Sequence, residues 1–86
     1  MKITIVTLVN DKKIRVNSEL RTFNLNVRKI RGNFFRVEEL VKQDRLSSGH
    51  THQPRYYYTT NELIININHI VCFEEMETGI KIENKN

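Results

Sequence analysis

Two histidines in a polar stretch are the first residues whose types could do chemistry. His50 and His52 are separated by one residue, so on an extended segment both side chains point the same way and could share a metal ion. A zinc site needs three or four ligands, and only Asp44 and His69 could complete one. No known ligand spacing joins these residues. Two exposed loop histidines are the simpler interpretation, and we predict neither a metal site nor a cofactor.

Three consecutive tyrosines follow Arg55 and form a second candidate. In a strand, Tyr56 and Tyr58 share one face while Tyr57 takes the other. Aromatic rings beside a guanidinium group offer stacking and phosphate charge, which a nucleotide base or single-stranded nucleic acid requires. The alternative is that two of the tyrosines cover the edge of the core and keep their hydroxyls in water.

Catalytic arrangements are hard to build from this chain. Its three glycines, Gly32, Gly49 and Gly79, are isolated, so no glycine-rich phosphate loop exists. Cys72 and His69 lie three residues apart, and on a strand their side chains point to opposite faces. Each of the two Glu-Glu pairs is likewise divided between two faces. We therefore predict that the protein is not an enzyme.

The charge is unevenly distributed along the sequence. The chain has a formal net charge of +4, but residues 1–55 carry twelve Lys or Arg and five Asp or Glu. Residues 56–86 carry two Lys and five Glu. A basic stripe of this kind attracts nucleic acid, nucleotides or acidic proteins, although a solvated face without a partner is the alternative. The residues predicted to hold phosphates are Lys12, Lys13, Arg15, Arg28, Lys29, Arg31 and Arg55.

The length and the single cysteine limit the class of protein. Eighty-six residues make one domain, 1–86, with a modest core, so a homo-oligomer is expected. Cys72 has no disulfide partner in the chain, and its apolar neighbours predict a buried, inert thiol. No signal peptide is apparent and no apolar run approaches about 18 residues. These features predict a cytoplasmic protein without membrane contact.

Alternating apolar residues predict strands in the first half. Residues 2–9 are apolar on both faces, which is typical of a central strand. Residues 13–17 return as a second strand with Ile14 and Val16 inward. Residues 23–27 alternate cleanly and predict a third strand, which places Arg31 at the tip of the following hairpin turn.

The segment 33–46 allows two interpretations. As a helix it would be capped by Asn33 and would place Phe34, Val37 and Val41 on one face. As a strand it would run to about Leu40 and pair with residues 23–30, and we favour this interpretation. Ser, Gly and Pro cluster after it, so residues 43–55 are predicted to form a mobile polar loop.

The C-terminal third also has a period of two, broken by turn signals at residues 61–62 and 77–79. It predicts a tight antiparallel meander. The chain as a whole is therefore predicted to be an all-β single domain of six or seven short strands, either barrel-like or a two-sheet sandwich. The alternating apolar positions are Leu63, Ile65, Ile67, Val71, Phe73, Ile80 and Ile82.

A spaced set of residues in this third carries a family resemblance. Asn66 ends a strand, Ile70 follows four residues later, Glu74 and Glu75 are paired acids, and Asn84 closes the segment. This part of the chain resembles the small FlbD-like β-proteins associated with flagellar and motility operons. It lacks their usual Asn-Pro step and their terminal helix. The resemblance implies a β-fold and no particular ligand.

These features predict non-catalytic binding of a nucleotide or nucleic acid through a basic face, with Tyr56, Tyr58 and His52 touching bases. Small basic β-proteins of this type include phage-encoded binders of host signalling nucleotides, which is an analogy of type. The alternative is an adaptor or inhibitor that docks a protein partner through a sheet edge or through the polar loop.

Overall fold

Most of the described chain forms β-strands, which confirms the predicted all-β class. The computed structural model describes residues 1–45 and 54–83. Two short helical elements interrupt the strands. In chain order the elements are β1 (Lys2–Leu8), β2 (Lys13–Val16), α1 (Leu20–Lys29), β3 (Phe34–Asp44), β4 (Tyr56–Asn66), a 3₁₀ connector (Ile67–His69) and β5 (Ile70–Glu77).

The five strands make one antiparallel sheet in the order β4-β3-β2-β1-β5. In a flat sheet, β4 and β5 would lie about 19 Å apart, because four inter-strand spacings of about 4.8 Å separate them. Only the three-residue connector joins them, and the four Cα steps from Asn66 to Ile70 reach about 15 Å at most. The sheet therefore curls toward a half-closed barrel, which agrees with the barrel-like alternative.

Apolar side chains fill the inner face of the curled sheet. β1 is buried on both faces from Ile3 to Val6 and lies between β2 and β5, as its sequence predicted. Ile14 and Val16 of β2 point inward, also as predicted. The helix closes this layer from one side. The buried inner cluster consists of Val6, Ile14, Val16, Phe23, Val37 and Ile65.

The predicted third strand is wrong, because residues 20–29 form the helix α1. Phe23 and Val27 are four residues apart, a spacing that shares a face in a strand and in a helix alike. Leu25 distinguishes the two, since a strand would bury it with Phe23. In the structure Phe23 is 1% exposed and Leu25 is 47% exposed. Arg31 consequently lies in the link between α1 and β3, and no hairpin tip exists there.

The favoured strand after residue 33 is confirmed, but its pairing is not the predicted one. β3 pairs with β4 over its whole length and with β2 at Val16 and Glu39. β4 is continuous through residues 61–62, where a turn was predicted, because those residues sit in the middle of this long hairpin. Residues 43 and 44, which were predicted to begin the polar loop, belong to β3. The rest of the predicted polar loop at 46–53, like Asn84, lies outside the described residues.

The segment 78–83, here named the strap, crosses the outer face of the sheet. The Tyr58 N–H donates to the Lys81 carbonyl at 2.9 Å, and the Glu83 N–H donates to the Tyr58 carbonyl at 2.8 Å. Ile80 and Ile82 pack on the outer cluster. The predicted last strand of the meander is therefore a single parallel bridge between Tyr58 and Ile82. The buried outer cluster consists of Ile3, Ile5, Leu40 and Tyr58.

Cys72 is exposed, so the prediction of a buried thiol is wrong. It pairs with Thr7 on the outer face of β5, just before a register shift between Thr7 and Leu8. The strap does not reach this part of the face. Apolar neighbours in sequence were a poor guide because β5 is an edge strand. Across the described ranges, no helix has the length and apolar character of a membrane span.

Candidate functional site

Three chain connections meet where the sheet curls, although the links that enter β2 and β3 start at opposite ends of this antiparallel strand pair. The 3₁₀ connector lies between them: the Ile67 N–H donates to the Asn33 carbonyl, and the Val9 N–H donates to the His69 carbonyl, both at 2.8 Å. A 3₁₀ helix rises about 2 Å per residue, so the three residues span about 6 Å. With one hydrogen bond at each end, the Asn33 carbonyl and the Val9 N–H are roughly 10 Å apart. The link between β1 and β2 and the link between α1 and β3 are thus held side by side.

These two links bring two groups of predicted basic residues to the same connector. α1 begins near Glu75, which accepts a hydrogen bond from the Leu20 N–H at 3.3 Å, and it runs toward Asn33. Its last turn therefore lies beside the connector. We name the resulting group of exposed cations the basic end: Lys12, Lys13, Arg28, Lys29 and Arg31.

Local backbone geometry fixes both links. Asp11 has a φ of 64°, and the Asn10 side chain accepts a hydrogen bond from the Lys12 N–H at 3.1 Å, which closes the first link tightly. Gly32 has a φ of 101°, a conformation that favours glycine. The bend at this glycine directs the chain from α1 into β3, in place of the predicted hairpin turn.

The cations of the basic end have no carboxylate partners in the described part of the chain. The ion pairs among the described residues are formed by other cations: Lys2, Arg36, Arg45, Arg55 and the amino group of Met1. Asp11 is an acidic residue within the first link, and Glu74 of β5 lines one groove with Lys13. Glu75 lies beside the start of α1. Five cations against one aspartate still give the basic end an excess of positive charge, which attracts anions.

Arg15 was predicted to join the same basic face, but it lies in the middle of β2. It points to the outer face opposite Ile5. There it lines a groove of about 270 Å³ together with Lys13, Glu74 and Met76. This groove is below the usual size of a small-molecule pocket, about 300–1,000 Å³. Glu74 also offsets part of its positive charge.

Arg55 and Tyr56 form a separate cluster at the base of the β3–β4 hairpin. Arg55 donates two hydrogen bonds to the Asp44 carboxylate, each 3.1 Å long. These bonds lower the pKa of Asp44 and raise the pKa of Arg55. The Tyr56 ring, 36% exposed, lies 4.2 Å from the Lys42 Nζ and 5.1 Å from the Arg55 guanidinium carbon. Arg55 and Tyr56 are therefore already engaged with neighbouring side chains.

Tyr58 cannot stack on a base in this arrangement, which corrects its predicted role. It is 1% exposed because Ile80 and Ile82 of the strap cover it. The alternative interpretation is therefore right in placing Tyr58 at the core, but Tyr58 is fully buried and does not keep its hydroxyl in water. His52, the third predicted base contact, lies outside the described residues. The structure thus separates the predicted aromatic residues from the basic end.

Phe34 is an aromatic residue that sequence reasoning did not connect with the basic residues. It is the first residue of β3 and is 68% exposed. The only sequence signal was its position directly after the Arg-Gly-Asn turn. Because α1 ends at residue 29, this turn leads from the basic last turn of the helix directly to Phe34.

No group of three or more metal-binding side chains is found in residues 1–45 and 54–83. A comparison of the chain with protein-family models finds no matching family, and comparisons with curated proteins and with solved structures also find no match.

Proposed function

We propose that this protein is a non-catalytic binding protein and that its basic end binds nucleic acid, a polyanion. The observation that carries the proposal is the gathering of five exposed cations around the 3₁₀ connector without a carboxylate partner in the described residues. Sequence-independent binding of nucleic acid depends mainly on such Lys and Arg contacts to phosphates. A cytoplasmic location belongs to the same proposal.

Nucleic acid fits this surface better than a single nucleotide. The cations are spread over two links about 10 Å apart, which matches an extended chain of phosphates more closely than one phosphate group. The groove that contains Lys13 and Arg15 is small and partly acidic. A free nucleotide would therefore find fewer contacts than a polymer that spans both links.

The direct test is an equilibrium binding assay with a labelled oligonucleotide at low salt. Arg28, Lys29 and Arg31 are replaced together by Gln, which removes three positive charges from one link of the basic end. Glutamine is preferred to glutamate because Arg28 and Lys29 lie in the last turn of α1 and favour its dipole. We expect binding to fall by more than tenfold while the circular dichroism spectrum is kept.

The matched control removes the same number of charges elsewhere. Arg21, Lys42 and Lys81 are exposed and make no ion pair among the described residues. Their combined replacement by Gln lowers the net charge by the same amount and should change binding much less. Equal losses in the two variants would show that only net charge matters. That result would contradict a site at the basic end.

A protein adaptor is the second candidate, because β4 and β5 are the edge strands of the sheet, although the strap already pairs with β4 at Tyr58. Edge strands can accept a strand from a partner or from a second copy of the chain, as in the proposed homo-oligomer. If the wild-type protein bound no nucleic acid at low salt, this candidate would replace the first.

A further inference from the structure

Phe34 is an exposed aromatic ring that the core does not explain. At 68% it has the largest exposed fraction among the large apolar residues of the described chain. Its backbone pairs with Asn66, and the period of the strand places it on the outer face with Arg36 and Ile64. Exposing a phenylalanine to this extent leaves most of its apolar surface in water, which disfavours the position unless a partner covers it.

Basic residues directly precede this ring in the chain. Arg31 lies three residues earlier, Lys29 ends the helix just before it, and Gly32 turns the chain between them. The Asn33 carbonyl, directly before Phe34, binds the 3₁₀ connector at 2.8 Å, which anchors the start of β3. The ring therefore projects from a fixed point of the backbone at the margin of the basic end.

We propose that Phe34 is a base-stacking platform, and that the ligand of the basic end is single-stranded nucleic acid. The inference rests on the proposed function. Cations that follow the phosphates and an aromatic ring that stacks on a base are the two parts of a single-strand site. In a duplex the base faces are already stacked on one another, so an exposed ring gains little there.

The test compares single-stranded and duplex oligonucleotides of the same sequence on the full chain. Stacking on one base corresponds to an affinity change of about 5- to 150-fold. Phe34→Ala should lose single-strand binding by a factor in that range and should leave duplex binding and the salt dependence unchanged. Loss of both ligands to the same extent would overturn the stacking role.

A tryptophan variant gives a second readout that does not depend on affinity. The chain has no tryptophan, so in Phe34→Trp all indole fluorescence comes from this position. We expect this variant to bind like the wild type and its fluorescence to be quenched when a single strand is added. Unchanged fluorescence at saturating single strand would overturn the proposal.

Tyr56→Ala is the matched aromatic control. Tyr56 lies against Lys42 and Arg55, away from Phe34, and it is the residue that the sequence predicted to contact bases. It should leave single-strand binding intact. If Tyr56→Ala weakened single-strand binding and Phe34→Ala did not, the stacking residue would be Tyr56 and the proposal for Phe34 would be wrong.

Two further outcomes separate this inference from the proposed function. If Phe34→Ala binds normally while the Arg28, Lys29 and Arg31 variant does not, the stacking platform is refuted and the phosphate site stands. If sedimentation shows that Phe34→Ala dissociates an oligomer and single-strand binding is kept, Phe34 is a contact between copies of the chain. A wild-type protein that binds neither strand refutes both proposals.

Discussion

Replacing Phe23 by Ala tests the helical assignment of residues 20–29 and the inner core together. Phe23 is 1% exposed, and its ring makes edge-to-face contacts with Phe35 and Phe73 at centroid distances of 5.5 Å and 5.2 Å. Truncation of a buried Phe costs about 3–5 kcal/mol. At about 0.05–0.15 kcal/mol per residue, a chain of 86 residues has a total stability of about 4–13 kcal/mol. The variant should therefore lose at least about a quarter of its stability.

Leu25→Ala is the control variant, because a strand would bury Leu25 together with Phe23, whereas the helix exposes it. Leu25 is about half exposed on α1, so its truncation should change the free energy of unfolding by only about 0.5 kcal/mol. Thermal melts followed by circular dichroism should show a decrease of about 12–40 °C for Phe23→Ala, at about 4–8 °C per kcal/mol. Leu25→Ala should melt close to the wild type. Equal, large decreases for both variants would mean that residues 23–27 form a buried strand after all.

Three other predictions concern the second half of the chain. Phe73→Ala should lower the free energy of unfolding by about 2–3 kcal/mol in urea unfolding, less than Phe23→Ala, because the Phe73 ring is only partly buried. Ile82→Asp should release the strap, and the Tyr58 amide, which donates to the strap, should then exchange its hydrogen faster while the amides of β1 stay protected. The Asp44 carboxyl should titrate in NMR below its ordinary pKa, and Arg55→Gln should raise that pKa. Since the folded pKa is lowered, the stabilisation from this pair is present above about pH 4 and is lost as the pH falls below it.

Strands with a strict period of two could be predicted from the sequence. β1 has apolar residues on both faces and is central; β2 alternates and is buried on one side. For β2 the pattern has only one good structural solution, because a slip of one residue would expose Ile14 and Val16. For β1 the two apolar faces are themselves typical of a central strand. The same reasoning supported β3 over a helix.

The helix and the pairing could not be predicted in the same way. Phe23 and Val27 fit both periods, and only the exposure of Leu25 decides between them. Pairing depends on contacts between distant parts of the chain, such as β1 with β5. Local patterns do not carry that information, so the strap and the exposed Cys72 were both missed.

The basic residues of the candidate site could be predicted from the sequence, but their arrangement in space could not. The basic residues of the first half were evident, but the sequence did not show that Lys12 and Arg31 meet at one connector. The aromatic residues were misplaced for the same reason: Tyr58 is buried by the strap, whereas Phe34 is exposed at the start of β3, after the link that carries Arg31.

The most direct test of the account is the salt dependence of oligonucleotide binding. If the five cations of the basic end each contact a phosphate, the logarithm of the binding constant should fall with the logarithm of salt concentration with a slope of about −3.5, at about −0.7 per contact for a single strand. Neutralising Arg28, Lys29 and Arg31 should reduce the slope to about −1.4, and neutralising Arg21, Lys42 and Lys81 should leave it near −3.5. A slope near zero for the wild type, or the same slope in all three proteins, would contradict a phosphate-binding basic end.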